Sequence, residues 1–343
     1  MKVKAAYYTG KGSFEVRDVE VAAPSEGEVS VAVAYCGICG TDLHIFRGEM
    51  DKRVKPPQVI GHEMSGVVSA VGPGVTGWKV GDRVAVRPLD WCGTCPACKA
   101  GNSHVCMNLV FMGIDGPGAF QQVWNVKART LFRVPNALPL REAALIEPLA
   151  VACHDVRRSG LKEGESAVVI GGGPIGLLIA LVAKAAGGSV IVSEPNAFRR
   201  EFAEKLGLET VDPLACDIAA YVKDRTGGAG ADVVFEVSAS KAGVATMTTL
   251  PKVRGKIVCV GINTTPPPVD LHAFFWKELE LYGARLYEAE DFARGLEWAG
   301  AGKFDLKPFV TGVYPLSDIQ KGFESLTGDT TAMKTMIEIN GEK

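Results

Sequence analysis

The chain has 343 residues, of which 47% are hydrophobic and 22% charged, and a formal net charge of -2. That length accommodates two domains with separate cores, and the balance is that of an ordinary globular protein. So small a charge gives no field that would attract nucleic acid or a membrane surface, and neither is expected as a partner.

The opening stretch "MKVKAAYYTGKGSFEV" has no apolar run of the signal-peptide kind. Nine cysteines, an odd number with four of them clustered, point to a reducing compartment rather than a disulfide framework, so the cytoplasm is expected. Up to about Ala150, short Val-rich runs such as "EVSVAVAYCGI", "EMSGVVSAVG" and "DRVAVRP" alternate with glycine turns such as "GPGVTGWKVGD". That texture predicts a compact β-barrel rather than βαβ units.

Two groups of metal-ligand residues lie in this half. "CGICGTDLH" and "GHEMSG" supply Cys39, His62 and Glu63, a sulfur, nitrogen and oxygen set that zinc accepts. Three protein ligands leave a position open, which is how catalytic zinc polarises an alcohol oxygen. Cys36 and Cys39 also read as a C-x-x-C redox pair, although no helix start is expected beside them. Further on, "CGTCPACKAGNSHVC" spaces Cys92, Cys95, Cys98 and Cys106 for one tetrahedral ion. Four thiolates fill zinc's coordination, so this lobe, over residues 90–108, is expected to be structural.

After Ala150 the pattern changes. "SAVVIG" predicts a buried strand, "PIGLLIALVAKAAG" a helix, "SVIVSE" a strand and "AFRREFAEKLG" a helix, with "ADVVFEVS" and "GKIVCVG" as later strands. The uncharged run from Ser166 to Ala183 approaches the length of a membrane span, but its glycines and proline break it into strand, loop and helix. Strands alternating with helices imply a parallel doubly wound sheet, ending near "LELYGA". Within it, "GGGPIG" places Gly171, Gly173 and Gly176 in the dinucleotide spacing, with Pro174 and Ile175 between the last two. These glycines allow a tight turn, close approach to a pyrophosphate and helix–sheet packing. Glu194, eighteen residues past Gly176, suits an adenosine ribose 2′-hydroxyl and repels a 2′-phosphate, which favours NAD over NADP. Arg199 and Arg200 oppose that preference, unless they are solvated or stack on the adenine. The tail strand "MKTMIEI" could rejoin the first domain.

Taken in order, "CGICGTDLH", "GHEMSG", "VGDRV", "CGTCPACKAGNSHVC", "EPLAVACH" and "GGGPIG" give the chain a resemblance. It resembles, from near residue 1 to the end, the zinc-dependent medium-chain dehydrogenases of alcohol, polyol and threonine dehydrogenase type. The resemblance implies an α/β chain with a GroES-like β-barrel catalytic domain over 1–152, completed by 287–343, and a Rossmann domain over 153–286. It implies two zinc ions per chain. Cys39 and His62 become catalytic-zinc ligands, Glu63 a third ligand, and Glu147 a residue that binds the ion or its water. Asp42 becomes the acid that holds the metal-binding histidine. Thr41 matches the hydroxyl that takes the substrate proton, and His44 passes it towards solvent. Lys334 stands where members carry a cation for the cofactor phosphate, the alternative being a surface lysine.

Members of polyol type have a Phe-Arg-Tyr run where this chain has "GARLYEAED". Arg285 and Tyr287 are therefore the substrate candidates, and a simple sorbitol assignment does not follow. Arg47, Lys52, Arg53 and Lys55 form a cationic loop that Glu49 and Asp51 nearly cancel. The function expected is hydride transfer between NAD and the secondary alcohol of a polyol, sugar, cyclitol or related small alcohol, by a homotetramer. The alternatives are an NADPH-dependent ketone or aldehyde reductase, a non-enzymatic zinc module and a Cys36–Cys39 redox sensor.

Overall fold

A computed structural model gives the protein's structure over residues 1–328 and 331–342. The chain divides into two compact units, Met1–Glu147 with Glu288–Lys343, and Pro148–Tyr287. The first boundary falls inside a continuous helix, Ile146–Ser159, close to the change of pattern at Ala150.

The first unit begins with β1 (Lys2–Gly10) and β2 (Ser13–Glu20), an antiparallel pair. Next come β3 (Glu28–Gly37), α1 (Gly40–Phe46), β4 (Gln58–Val59), β5 (Glu63–Val71), β6 (Arg83–Val86), β7 (Leu89–Asp90) and α2 (Pro96–Lys99). β8 (Val110–Phe111), β9 (Val123–Lys127), β10 (Leu131–Arg133) and α3 (Leu140–Ala143) follow. β3 is the centre. Val29, Val31, Val33 and Cys36 are fully enclosed, which a β-branched strand packed on both faces requires.

α4 (Ile146–Ser159) spans the boundary. The second unit continues with β11 (Ser166–Ile170), α5 (Pro174–Ala185), β12 (Ser189–Ser193), α6 (Ala197–Lys205), β13 (Glu209–Val211) and α7 (Ile218–Arg225). It ends with β14 (Ala231–Glu236), α8 (Lys241–Thr246), β15 (Pro251–Cys259), α9 (Leu271–Lys277) and β16 (Glu280–Gly283). All six strands are parallel in the order β13-β12-β11-β14-β15-β16, so the order reverses between β11 and β14. Val168, Val234 and Ile257 meet Val222 and Val244 in its core. Truncating one of these to Ala would cost about 2–5 kcal/mol. Among the described residues no helix is long and apolar enough to cross a membrane.

The tail adds α10 (Ala289–Gly300), β17 (Val310–Pro315), α11 (Ile319–Ser325) and β18 (Lys334–Glu338) to the first unit. The larger sheet there runs β10-β6-β5-β3-β18-β17, with β9 also on β3. Its register sets Glu63 opposite Gly37, and Gly37 opposite Met336. The start of β5 and the last strand of the chain thus meet across one residue of β3.

Candidate metal centre and cofactor site

In the first unit a sulfur of Cys39, a ring nitrogen of His62 and a carboxylate oxygen of Glu63 lie within 4.8 Å of one another. Three elements deliver them. β3 ends at Gly37, α1 starts just after Cys39, His62 immediately precedes β5 and Glu63 opens it. The helix start beside Cys39 corrects the sequence reading, which expected none. Cys39 precedes the first helical residue, and its backbone N–H donates to Asp42 Oδ2 at 2.9 Å. The other oxygen of Asp42 faces His62 Nδ1 at 3.6 Å, too long for a hydrogen bond, and both atoms are buried without a partner. One fully buried carboxylate therefore holds the backbone of one ligand and faces the ring of the next.

His62 is 2% exposed. Burial opposes its protonation, but the Asp42 carboxylate and the Cys39 sulfur outweigh that and raise its pKa well above the usual range. So electronegative a pocket suits a cation, and a bound metal would take the place of that proton. The donor set, the orphaned buried atoms and the tight convergence fit zinc with a position left for a further ligand.

Lys334 is buried rather than at the surface, 4% exposed. Its ammonium donates to both oxygens of Glu63 and, at 3.3 Å, to the Ile38 carbonyl. Burial disfavours that charge, yet Glu63 outweighs it, with Cys39 and Glu147 adding, and the pKa is raised. A Cβ on Gly37 would strike the Glu63 carboxylate, so glycine is needed there for the pair to form. Glu147 is buried in the first turn of α4 and lies outside the three-atom cluster. Cys36 is fully enclosed, and burial followed by Asp42 and Glu63 pushes its thiol pKa well up. Such a thiol is inert, which weighs against the dithiol reading.

Thr41 is the second residue of α1, and His44 lies on the same helix. The His44 ring nitrogen Nδ1 pairs with the Glu49 carboxylate. Neutral His44 therefore holds its proton at Nδ1 and leaves Nε2 free to accept another. The same loop holds two of its other charges in pairs. Arg53 grips Asp115 with two bonds of 2.7 and 2.8 Å, and Tyr8 donates to Asp51 at 3.0 Å. Glu49 and Asp51, read in sequence as mere cancelling charge, each have a partner.

The sulfurs of Cys92, Cys95, Cys98 and Cys106 converge within 4.8 Å. Backbone N–H groups aim at them: Cys95 at Cys92, Cys98 at Cys95, and Asn108 at Cys106, over 3.3–3.5 Å. Donors from Thr94 and Cys95 lower the Cys92 pKa to about 5. Thiolate-stabilising amides around four sulfurs fit a closed metal site.

In the second unit the turn after β11 carries the glycine motif. Gly171 has φ +107°, and a Cβ there would press on Ser238. At Gly176 a Cβ would run into the Gly171 carbonyl, whereas Gly173 faces open space apart from Arg199 Nη1 at 3.9 Å. Pro174 and Ile175 open α5. Glu194, 4% exposed, accepts from Gly172 N at 2.6 Å and Asn196 N at 2.8 Å. A carboxylate has about four lone-pair positions, so a ribose hydroxyl can still bind. Arg200 is committed to the carbonyls of Glu194 and Pro195 and to Asp212. Arg199 stands with Nη1 4.0 Å from Glu194. Arg285 is exposed while Tyr287 is fully buried, and Leu286 between them has φ 58°; the structure does not bring this pair together.

Sequence reasoning missed three participants: the Lys334–Glu63 pair, Glu49 behind His44, and Glu236. The last is a buried acid closing the β14 run "ADVVFEVS", and an ionisable residue ending an apolar strand is a signal that was available.

Residues 25–136 match the alcohol dehydrogenase GroES-like domain, and residues 174–301 match the zinc-binding dehydrogenase family. The 2-dehydro-3-deoxy-L-galactonate 5-dehydrogenase of Pseudoalteromonas atlantica is 56% identical over 339 residues, 99% of each chain. The (R,R)-butanediol dehydrogenase of Neisseria gonorrhoeae is 36% identical over 98% of this chain and all of its own, 100%. A solved zinc-binding dehydrogenase from Sinorhizobium meliloti bound to NADP superposes with a TM-score of 0.93 at 30% identity, covering 98% and 99%. With both family matches, the fold and the ligand cluster in agreement, the chain belongs to the zinc-dependent medium-chain dehydrogenases, nicotinamide-dependent oxidoreductases that interconvert alcohol and ketone.

Proposed function

We propose that this enzyme oxidises a secondary hydroxyl of a sugar acid, a 2-dehydro-3-deoxy aldonate, to a ketone with NAD as acceptor. The observation that carries the substrate class is the 56% identity, over 99% of both chains, to a dehydrogenase of that class. This narrows the polyol, sugar or cyclitol expected from sequence.

Cys39, His62 and Glu63 would hold the catalytic zinc, and Cys92, Cys95, Cys98 and Cys106 a second, structural one. The catalytic ion supplies Lewis-acid polarisation of the substrate oxygen, and the cofactor supplies hydride acceptance. The chain does the rest. Asp42 orients His62 and Cys39. Lys334 holds the Glu63 carboxylate, and Glu147 is a second buried acid that would be able to ligate the ion or its water. Thr41 takes the hydroxyl proton, and His44 accepts it at Nε2 because Glu49 occupies Nδ1. In this reading Lys334 serves Glu63 first, and a part in cofactor phosphate binding would come second. Gly171, Gly173 and Gly176 form the pyrophosphate turn, and Glu194 receives the ribose 2′-hydroxyl. Arg285 remains a substrate candidate by its exposure.

NAD preference rests on Glu194, buried and already negative beside the ribose position. Arg199, with Nη1 4.0 Å from Glu194, is the nearby cation that would favour NADP, since Arg200 is held by the Glu194 and Pro195 carbonyls and Asp212. A homo-oligomer, a tetramer in our reading, is supported by β16. It is the last strand on its side of the sheet; Leu281 on it is exposed, as are Leu271, Phe275 and Trp276 on α9, the preceding element of the chain. A cytoplasmic setting is supported by the converging thiols of Cys92, Cys95, Cys98 and Cys106, a set that a reducing compartment keeps ready for a metal.

Initial rates with 2-dehydro-3-deoxy sugar acids, polyols, 2,3-butanediol and L-threonine test the substrate. Sugar acids should exceed the others by at least about a hundredfold in kcat/KM, since recognition of a substrate's polar groups can supply about 10⁴-fold discrimination. Polyol turnover equal to that of the acids would refute the narrowed class. A preference for NADP would refute the role of Glu194.

A further inference from the structure

The second unit holds a buried carboxylate that no step above uses. Glu236 ends β14 and is 1% exposed. Its Oε1 accepts from Ser238 N at 3.1 Å and Ser238 Oγ at 2.5 Å, and its Oε2 from Ala239 N at 3.3 Å. Its own carbonyl takes the N–H groups of Val260 and Gly261, each at 2.9 Å. One residue therefore ties the loop after β14 to the loop after β15. Packing around it is close. A Cβ on Gly243 or Gly261 would come within 2.8 Å of a carboxylate oxygen.

The loop so held is not relaxed. Ala239 has φ 51°, a conformation that persists only where its surroundings over-determine it. The hydroxyl of Ser238 passes the hold onward, to Ser240 N at 3.1 Å and Ser240 Oγ at 2.9 Å, and Ser240 Oγ caps Gly243 N of α8 at 2.9 Å. Ser238 is also the residue against which Gly171 packs. The loop therefore stands on the far side of the point where strand order reverses.

A doubly wound sheet binds a dinucleotide across that point, one mononucleotide on each half. Glu194 at the end of β12 assigns the adenosine to the β11–β12–β13 half, which leaves the carboxyl ends of β14 and β15 to the nicotinamide mononucleotide. We propose that Glu236 is a positioning residue, fixing the Ser238–Ala239 and Val260–Gly261 backbone against which the nicotinamide half of the cofactor is laid. The proposal rests on the cofactor reading of the glycine turn.

Calorimetric titration of the whole zinc-loaded enzyme with NADH and, separately, with ADP-ribose tests it. In Glu236→Gln the side chain keeps its shape, but an amide NH2 meets backbone N–H donors. NADH binding should weaken about tenfold, the loss expected from one reversed buried hydrogen bond, while ADP-ribose stays within about twofold. Ser238→Ala, which leaves the carboxylate in place, should weaken NADH about threefold and spare ADP-ribose. Unchanged NADH affinity in both variants would overturn the proposal, as would equal weakening of both ligands, which marks a merely structural residue. Wild-type enzyme that binds neither ligand would instead overturn the cofactor reading.

Discussion

The Lys334–Glu63 pair gives the sharpest test of the metal centre. Both side chains are almost wholly enclosed, 5% and 1% exposed. Lys334→Met keeps the stem and removes the charge, leaving the Glu63 carboxylate buried without its counter-ion. At an effective dielectric of about 20, unit charges about 4 Å apart attract by about 4 kcal/mol, and breaking a buried pair from one side costs about 3–5 kcal/mol. That full loss should appear when zinc is chelated. With zinc in excess, the dication beside Cys39 and His62 offers Glu63 another partner, and the loss should shrink by about 2 kcal/mol or more. By linkage, zinc then binds the variant about thirtyfold more tightly than wild type.

Urea unfolding of both proteins, with zinc in excess and with zinc chelated, yields the coupling as a difference of differences. The four-cysteine lobe enters both proteins equally and cancels. Glu63→Gln combined with Lys334→Met should recover most of the loss, because no buried charge is left alone. Equal losses with and without zinc, or unchanged zinc affinity, would show that Glu63 does not face the metal.

Three further outcomes follow from the same geometry. Cys98→Ser should lower zinc content by one ion per chain and Tm by about 5–10 °C, a few kcal/mol for a chain of this size; a variant of native Tm that lost only turnover would contradict a structural lobe. His44→Ala should reduce kcat/KM by about tenfold to a hundredfold at neutral pH while leaving NADH affinity unchanged, so an unaltered kcat/KM would exclude the relay. Asp232 accepts from Ser166 N and Oγ at 2.8 and 2.7 Å and pairs with Lys252. Burial raises its pKa, but Lys252 and Ser166 outweigh that and hold it below the ordinary 3.8. Its stabilisation is present above the unfolded pKa and lost as pH falls through the folded one. Asp232→Asn should therefore cost about 1–2 kcal/mol at pH 7 and little near pH 2, by urea unfolding.

What sequence made legible was chemistry carried by several residues at fixed spacing. The four cysteines, the glycine turn after "SAVVIG" and the strand–helix alternation each declare themselves within a short window, and the strands and helices formed where periodicity placed them. α1 escaped notice because seven residues are too few for a helical period and its leading residue is Cys39 rather than Ser, Thr, Asp or Asn. Its start shows instead in Asp42, which bonds back to Cys39 N. The burial of Lys334 was hidden for another reason. Its partner is 271 residues away, and only the register of β5, β3 and β18 brings the two together.

The positioning groups share a physical form that explains why they are hard to read. Asp42, Glu194 and Glu236 are buried carboxylates at a strand end or helix start, and each accepts from at least one backbone N–H group. A backbone donor leaves no mark in the sequence, so even the two-residue step from Glu236 to Ser238 looks like any surface pair. Such a carboxylate is costly to enclose unless its donors are already in place. The donors, in turn, are fixed by the ladder hydrogen bonds of the adjoining strands. Ligand geometry is therefore inherited from the sheets through these acids. An amide in place of any of them, nearly identical in shape, would turn one acceptor into a donor aimed at a donor, and should loosen the site more than trimming an apolar neighbour of equal burial.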